Sequence, residues 1–117
     1  MARLKKVLSE HGKGRCKVWA EATRVGDDIL LHIWGGEKPH LGSASLCSSG
    51  EPTSISVPGH MDYVVSHEAA KRVCSDTGKR CLAIAGIHVD DASHEDIAEL
   101  VENSRRCINA IINDLRK

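Results

Sequence analysis

Phenylalanine is absent from this 117-residue chain, and its aromatic side chains are limited to Trp19, Trp34 and Tyr63. The core must therefore be built from Val, Ile, Leu and Ala. A stacking platform for single-stranded nucleic acid needs several exposed rings, so the composition argues against one. An excess of charge is lacking too. The 16 Lys and Arg residues stand against 16 Asp and Glu, which leaves no basic footprint for nucleic acid or for an anionic membrane surface. No apolar run approaches the roughly 18 residues of a membrane span, and "MARLKKVLSEHGKG" at the start has no apolar centre of signal-peptide length. The five cysteines (Cys16, Cys47, Cys74, Cys81, Cys107) are odd in number and form no C-x-x-C. That usage fits reduced thiols in the cytoplasm rather than a disulfide framework or a zinc knuckle. G-x-S-x-G, a P-loop and G-x-G-x-x-G are missing as well.

What is present divides by period. "RCKVWAEATRVG" alternates, with Cys16, Val18, Ala20 and Ala22 on one face, and "GDD" turns the chain into "ILLHIW", so the two runs predict a hairpin. Two shorter strands, "SASLCS" and "SISV", follow around the turn "SGEPT". Ser66 is placed to cap a helix with Ala69, Ala70, Val73 and Cys74 on its buried stripe and Gly78 as its stop. "RCLAIAGIHV" reads as a central strand. Ser93 and Asp96 are spaced as a capping box for a last helix from about His94 to Leu115. Its stripe of apolar or small residues runs through Ile97, Leu100, Val101, Ser104, Ile108, Ile111, Ile112 and Leu115.

The expected fold is α+β in one domain, residues 1–117: a single-layer, mainly antiparallel sheet of about five strands in the order ββββαβα, with two helices on one face. Residues 1–14 are expected to be a flexible arm. The last helix, roughly 33 Å long, outreaches a five-stranded sheet. Part of its stripe could serve a homodimer, and the plain alternative is that it simply covers the sheet.

Seven histidines are sorted by position. His11 lies in the arm, His32 falls in mid-strand, and His67 and His94 sit in helix first turns. His40 in "KPHLG", His60 in "VPGHMD" and His88 in "AGIHVDD" remain, each at a strand end beside Pro or Gly. Three neutral imidazoles could hold a divalent metal, with Asp62, Asp90 and Asp91 near enough in sequence to complete or orient the shell. Spacing alone favours the plainer reading, three unrelated loop histidines, because nothing in the sequence makes the three strand ends converge. Lys71 and Arg72 could reach an anion, or be solvated helix surface.

Taken together, "GGEKPHLG", "VPGH", "SHEAAKRV" and "AGIHVDDAS" ahead of a long amphipathic helix resemble the LpdD-like prenylated-flavin chaperone family, associated with UbiD-type decarboxylases. The resemblance runs from about Asp28 to the C-terminus. It implies a cofactor-handling accessory protein, not an enzyme, that binds prenylated FMN (or FMN) and delivers it to a UbiD-type decarboxylase, with a flavin prenyltransferase as a further partner. It also implies that His40, His60 and His88 belong to the flavin site, with Gly35 and Gly36 letting backbone approach the cofactor. The phosphate would call for a divalent ion or for cations such as Lys38, Lys71 or Arg72. Ring stacking could involve Trp34 or Tyr63. The rival from another class is a small metal-dependent, hydrolase-like enzyme using the three histidines.

Overall fold

A computed structural model describes residues 6–58 and 62–117. Six strands and two helices follow one another as β1 (Lys6–His11), β2 (Val18–Val25), β3 (Asp28–Gly36), β4 (Ser43–Cys47), β5 (Thr53–Ser56), α1 (Tyr63–Thr77), β6 (Cys81–His88) and α2 (His94–Leu115). The sheet is ordered β1-β2-β3-β6-β4-β5. Every neighbouring pair is antiparallel except β3 and β6, which run parallel. The sheet is therefore mixed and has six strands rather than about five. The extra strand is β1, in the segment expected to be a flexible arm. Its Val7 side chain is buried in the core, and its residues pair with β2 from Lys6 opposite Thr23 to His11 opposite Val18.

Both helices pack on one face. That face carries Val18, Ala20, Ala22, Ile29, Leu31, Ile33, Cys81, Ala83 and Ala85, all buried. The alternation of small and branched residues lets α1 and α2 lie close without any large ring to fill gaps. On α2, Leu100, Cys107, Ile108, Ile111, Ile112 and Leu115 are buried against the chain's own sheet and α1. The stripe expected to be spare for a dimer is thus used internally; of it, Ile97 stays exposed. The helix begins with the expected capping box, Ser93 accepting from the Asp96 amide and Asp96 from the Ser93 amide. Arg24 donates to the Leu115 carbonyl at its other end.

Helix α1 begins three residues before the expected cap. Asp62 occupies the N-cap position, while Ser66 lies inside the helix and fully buried. Its hydroxyl meets those of Ser43 and Ser45 on β4, each at 2.8 Å, and Ser45 in turn meets Ser54 on β5 at 2.6 Å. Ser66 thus joins helix to sheet instead of starting a helix. Gly78 ends α1 in the left-handed conformation, as its position in the sequence suggests.

Strand β6 lies between β3 and β4, so the β3–β4 connection has to cross it. Residues 37–42 form that strap, over the end where β3 and β6 finish. The Glu37 and Lys38 amides donate to the His88 carbonyl (2.8 and 3.2 Å), and the Gly42 amide donates to Ala85 (2.9 Å).

Candidate functional site

The strap sits where three glycines allow it. A Cβ at Gly86 would fall on the His40 carbonyl, and one at Gly42 would strike the Asp62 carboxylate. Gly36, at φ +78°, faces the His88 backbone. Gly35 faces the backbone of Lys17 and Val18. The glycines singled out in the sequence are therefore explained by chain packed against chain, and the space beside Gly35 and Gly36 is filled by protein.

This packing brings His40 and His88 together, their ring centroids 6.4 Å apart and nearly perpendicular. His40 Nε2 lies 3.0 Å from Asp62 Oδ2, and its Nδ1 lies 3.0 Å from the Lys38 carbonyl oxygen. Asp62 is itself buried and accepts from the Ile87 amide through Oδ1 at 2.9 Å. His88 Nε2 is 3.0 Å from Asp90 Oδ1, and Lys38 Nζ is 3.0 Å from the other oxygen of that carboxylate. The Lys38 ammonium, and after it His88, hold the exposed Asp90 carboxyl below the usual carboxylate range. Arg15 adds a cation facing Glu37 at 3.5 Å.

His60 lies outside the described residues. Lys71 and Arg72 are not at this end. Lys71 pairs with Glu51 beside Cys47 and Cys74, toward the far end of β4, and Arg72 bonds Asn109 on α2. For a metal, imidazole must offer a lone pair, yet both ring nitrogens of His40 face oxygens. Among the described residues, the one group whose ligand atoms lie within 4.8 Å of one another is Cys16, Asp96 and Glu99, not the histidines. All five cysteines are buried free thiols. Burial pushes Cys47 up to about 11 and Cys81 up to about 12, which keeps both protonated and unreactive near neutral pH.

Apart from the strap over Gly86, no helix or sheet among the described residues covers the sheet face opposite the helices. Across it run two registered rows: Leu8, Glu21, His32, Ile84, Ala44, Ile55, and Lys6, Thr23, Leu30, Leu82, Leu46, Thr53. The half formed by β3, β6, β4 and β5 is mostly apolar, and Ile55 is 72% exposed there. Near the strap a cavity of about 220 Å³ is lined by His32, Trp34, Pro39, His40 and Leu41. The His32 ring lies 4.8 Å from that of Trp34, and its Nε2 is buried with no hydrogen-bond partner among the described residues. Desolvation lowers the His32 pKa from 6.5, against a smaller opposing pull from Glu21.

His32 is the residue that sorting by strand ends misses. The signal was in "ILLHIW", which is apolar in both parities. Both described helices pack on one face, which leaves the alternate positions of β3 on the other.

Sequence comparison decides the family. A model of the prenylated flavin chaperone LpdD-like domain matches residues 12–116. The chain belongs to that family. Protein LpdD of Lactiplantibacillus plantarum is 32% identical over 80 residues, which span 63% of this chain and 59% of that protein, less than two thirds of its length. The fold is also similar to a chain in the crystal structure of a chaperone complex for yeast 20S proteasome assembly. That match has a TM-score of 0.66 at 12% identity and covers 96% of this chain and 98% of the other. At that identity the likeness concerns the fold alone. No described helix of this LpdD-like chain is long and apolar enough to cross a membrane.

Proposed function

We propose that this LpdD-like chain binds prenylated FMN and passes it to a UbiD-type (de)carboxylase, performing no turnover itself. The observation that carries the reading is an apolar sheet face, uncovered among the described residues, ending in a hydrogen-bonded polar cluster, in a chain of this family. A flat cofactor with an apolar ring system and a charged tail asks for both surfaces at once. The group's fit rests on the cavity lined by His32, Trp34 and His40, where ring side chains offer a flat ligand a surface beside the polar cluster. Once bound in the recipient enzyme, the flavin supplies the chemistry of reversible decarboxylation. This chain's residues shield and orient it until then. His40 and His88, with His60 by resemblance, mark the polar end, and Lys38 is the cation beside them for a phosphate. Lys71 and Arg72 stand away from this end, beside Glu51 and Asn109, whereas Lys38, itself paired with Asp90, would exchange that partner for the phosphate.

Reconstitution tests it. Apo-decarboxylase is incubated anaerobically with prenylated FMN, with and without the chain, and the active fraction is scored. The expected result is a higher fraction with the chain present and co-elution of flavin with it. If the chain neither carries flavin through gel filtration nor raises that fraction, the reading fails.

A further inference from the structure

We propose that Ser54 is an activated nucleophile, with His67 as its base and Glu51 as the carboxylate that orients His67, and that it accepts an acyl group from an activated ester or thioester. This site does not depend on the cofactor reading. Its hydrogen bonds run among the three residues, to Ser45 and to Lys71.

Three elements bring the group together. Ser54 lies on β5 opposite Ser45 of β4, and both turn toward α1. His67 follows the buried Ser66 on α1, and Glu51 lies in the turn between β4 and β5. The Ser54 hydroxyl is 3.1 Å from His67 Nδ1, and His67 Nε2 is 3.0 Å from Glu51 Oε2. Lys71, one turn further along α1, pairs with the other oxygen of that carboxylate. The Lys71 ammonium, and after it His67, hold the Glu51 carboxyl below its usual range.

This order assigns the protons. An ionised carboxylate only accepts, so Nε2 of the neutral ring carries the hydrogen and Nδ1 keeps the lone pair. The Ser54 hydroxyl is then the donor to Nδ1. Its oxygen accepts from Ser45 at 2.6 Å, and Ser45 meets Ser66, and Ser66 meets Ser43, each at 2.8 Å. The row can run in one direction, each hydroxyl giving its proton toward Ser54, and such a chain polarises its last member. As the Ser54 proton leaves, the bond from Ser45 stabilises the charge growing on Oγ. The serines alone join helix to sheet; that join does not call for an imidazole and a carboxylate in line beyond Ser54. Hydroxyl, base and orienting acid in contact are what activates a serine, here with the two ring nitrogens in exchanged roles.

The site is open to solvent. The His67 side chain is 36% exposed, and β5 is an edge of the described sheet. The Val57 amide donates to Gly42 beside β4, so alternation along the strand turns the Ser54 amide outward. That amide gives an oxyanion one donor, where an efficient acyl-transfer site has two. The acyl donor must therefore carry a good leaving group. Ser54 Oγ bonds to the carbonyl carbon, the bond to the departing alkoxide or thiolate breaks, and the Ser54 proton passes through His67 to that leaving group. The product is an acyl-serine, one group per chain.

The test treats the full chain with p-nitrophenyl acetate. Absorbance follows nitrophenolate release, and peptide mass spectrometry after an acid quench locates the acetyl group. Wild type is expected to release a burst of one equivalent and to carry acetyl on Ser54. Ser56, exposed two residues along the same strand, is the internal control and should stay unmodified. Ser54→Ala should abolish the burst. His67→Gln should slow acetylation of Ser54 about a hundredfold, and Glu51→Gln, which keeps a hydrogen-bonding group in place, at least about tenfold. Circular dichroism and thermal melts establish that each variant is folded; Glu51 is exposed, so Glu51→Gln reads the same step should His67→Gln not fold. The proposal is overturned if folded wild type gains acetyl only on lysines, if Ser54 and Ser56 react alike, or if the folded His67 and Glu51 variants acetylate Ser54 at the wild-type rate.

Discussion

The two faces of this sheet are made from the same strands and do opposite things. On β3, Leu31 is fully buried beneath the helices, and its neighbour Leu30 is 36% exposed. Toward the helices, side chains are small or branched, and the hydroxyls of Ser43, Ser45 and Ser66 satisfy one another. Toward the open side, apolar residues stand without a covering layer and His32 keeps a buried nitrogen unpaired among the described residues. The first face spends its apolar character on folding. The second keeps apolar surface uncovered among the described residues, and it is this surface that the proposed function uses.

That contrast can be broken most forcefully at β3. Leu31→Ala is expected to cost about 2–5 kcal/mol through lost burial and a cavity, whereas Leu30→Ala should cost under about 1 kcal/mol. Urea melts of the two variants measure the difference, and equal losses would refute the division of faces. Next comes Gly86→Ala, which forces the His40 backbone off β6. We expect about 1–3 kcal/mol of destabilisation from overpacking together with faster hydrogen exchange at the Gly42 amide, seen by NMR. An unshifted strap would show that it does not depend on the missing side chain. Ser66→Ala removes a hydroxyl shared by two buried serines and should cost about 1 kcal/mol, with the fold unchanged by circular dichroism. A neutral or stabilising result would mean that Ser43 and Ser45 find each other or water.

The smallest effect belongs to the open face. Burial depresses the His32 pKa from its ordinary 6.5, so the folded chain takes up this proton less readily than the unfolded one. Protonation therefore favours unfolding. The His32 contribution is complete above about pH 6.5 and declines as pH falls through the depressed value. Stability measured from pH 8 to 5 should lose part of its acid slope in His32→Leu; an identical slope would remove His32 as a contributor.

Local signals made much of this legible. The hairpin of β2 and β3, the Ser93 capping box and the Gly78 stop all depend on neighbours a few residues away, and each was readable from the sequence. The early start of α1 was not, because Ser66 has the chemistry of a cap and only the arrival of β4 diverts it. Strand β1 escaped for a similar reason: "KVLSEH" is a short run whose partner is β2. The placing of β6 between β3 and β4 depends on pairing between distant segments, which no local period encodes. At the site, Gly and Pro singled out His40 and His88, whose rings lie 6.4 Å apart. They could not reveal that Gly35 and Gly36 serve backbone packing, or that Lys71 and Arg72 lie elsewhere.

Strand β6 enters a slot whose sides, β3 and β4, and whose roof, the strap, are all encoded before it. While the chain is being synthesised, those parts emerge with a gap at the centre of the sheet and with nothing for the strap amides to bond. The closing event joins segments far apart in sequence, the kind of contact that slows folding. Because Glu37, Lys38 and Gly42 anchor on carbonyls of β6, the strap and the His40–His88 cluster take their place only when that event is complete. A nascent chain, or one cut after α1, would lack the strap's anchors, so under the proposed function capture of flavin would also certify that folding has finished.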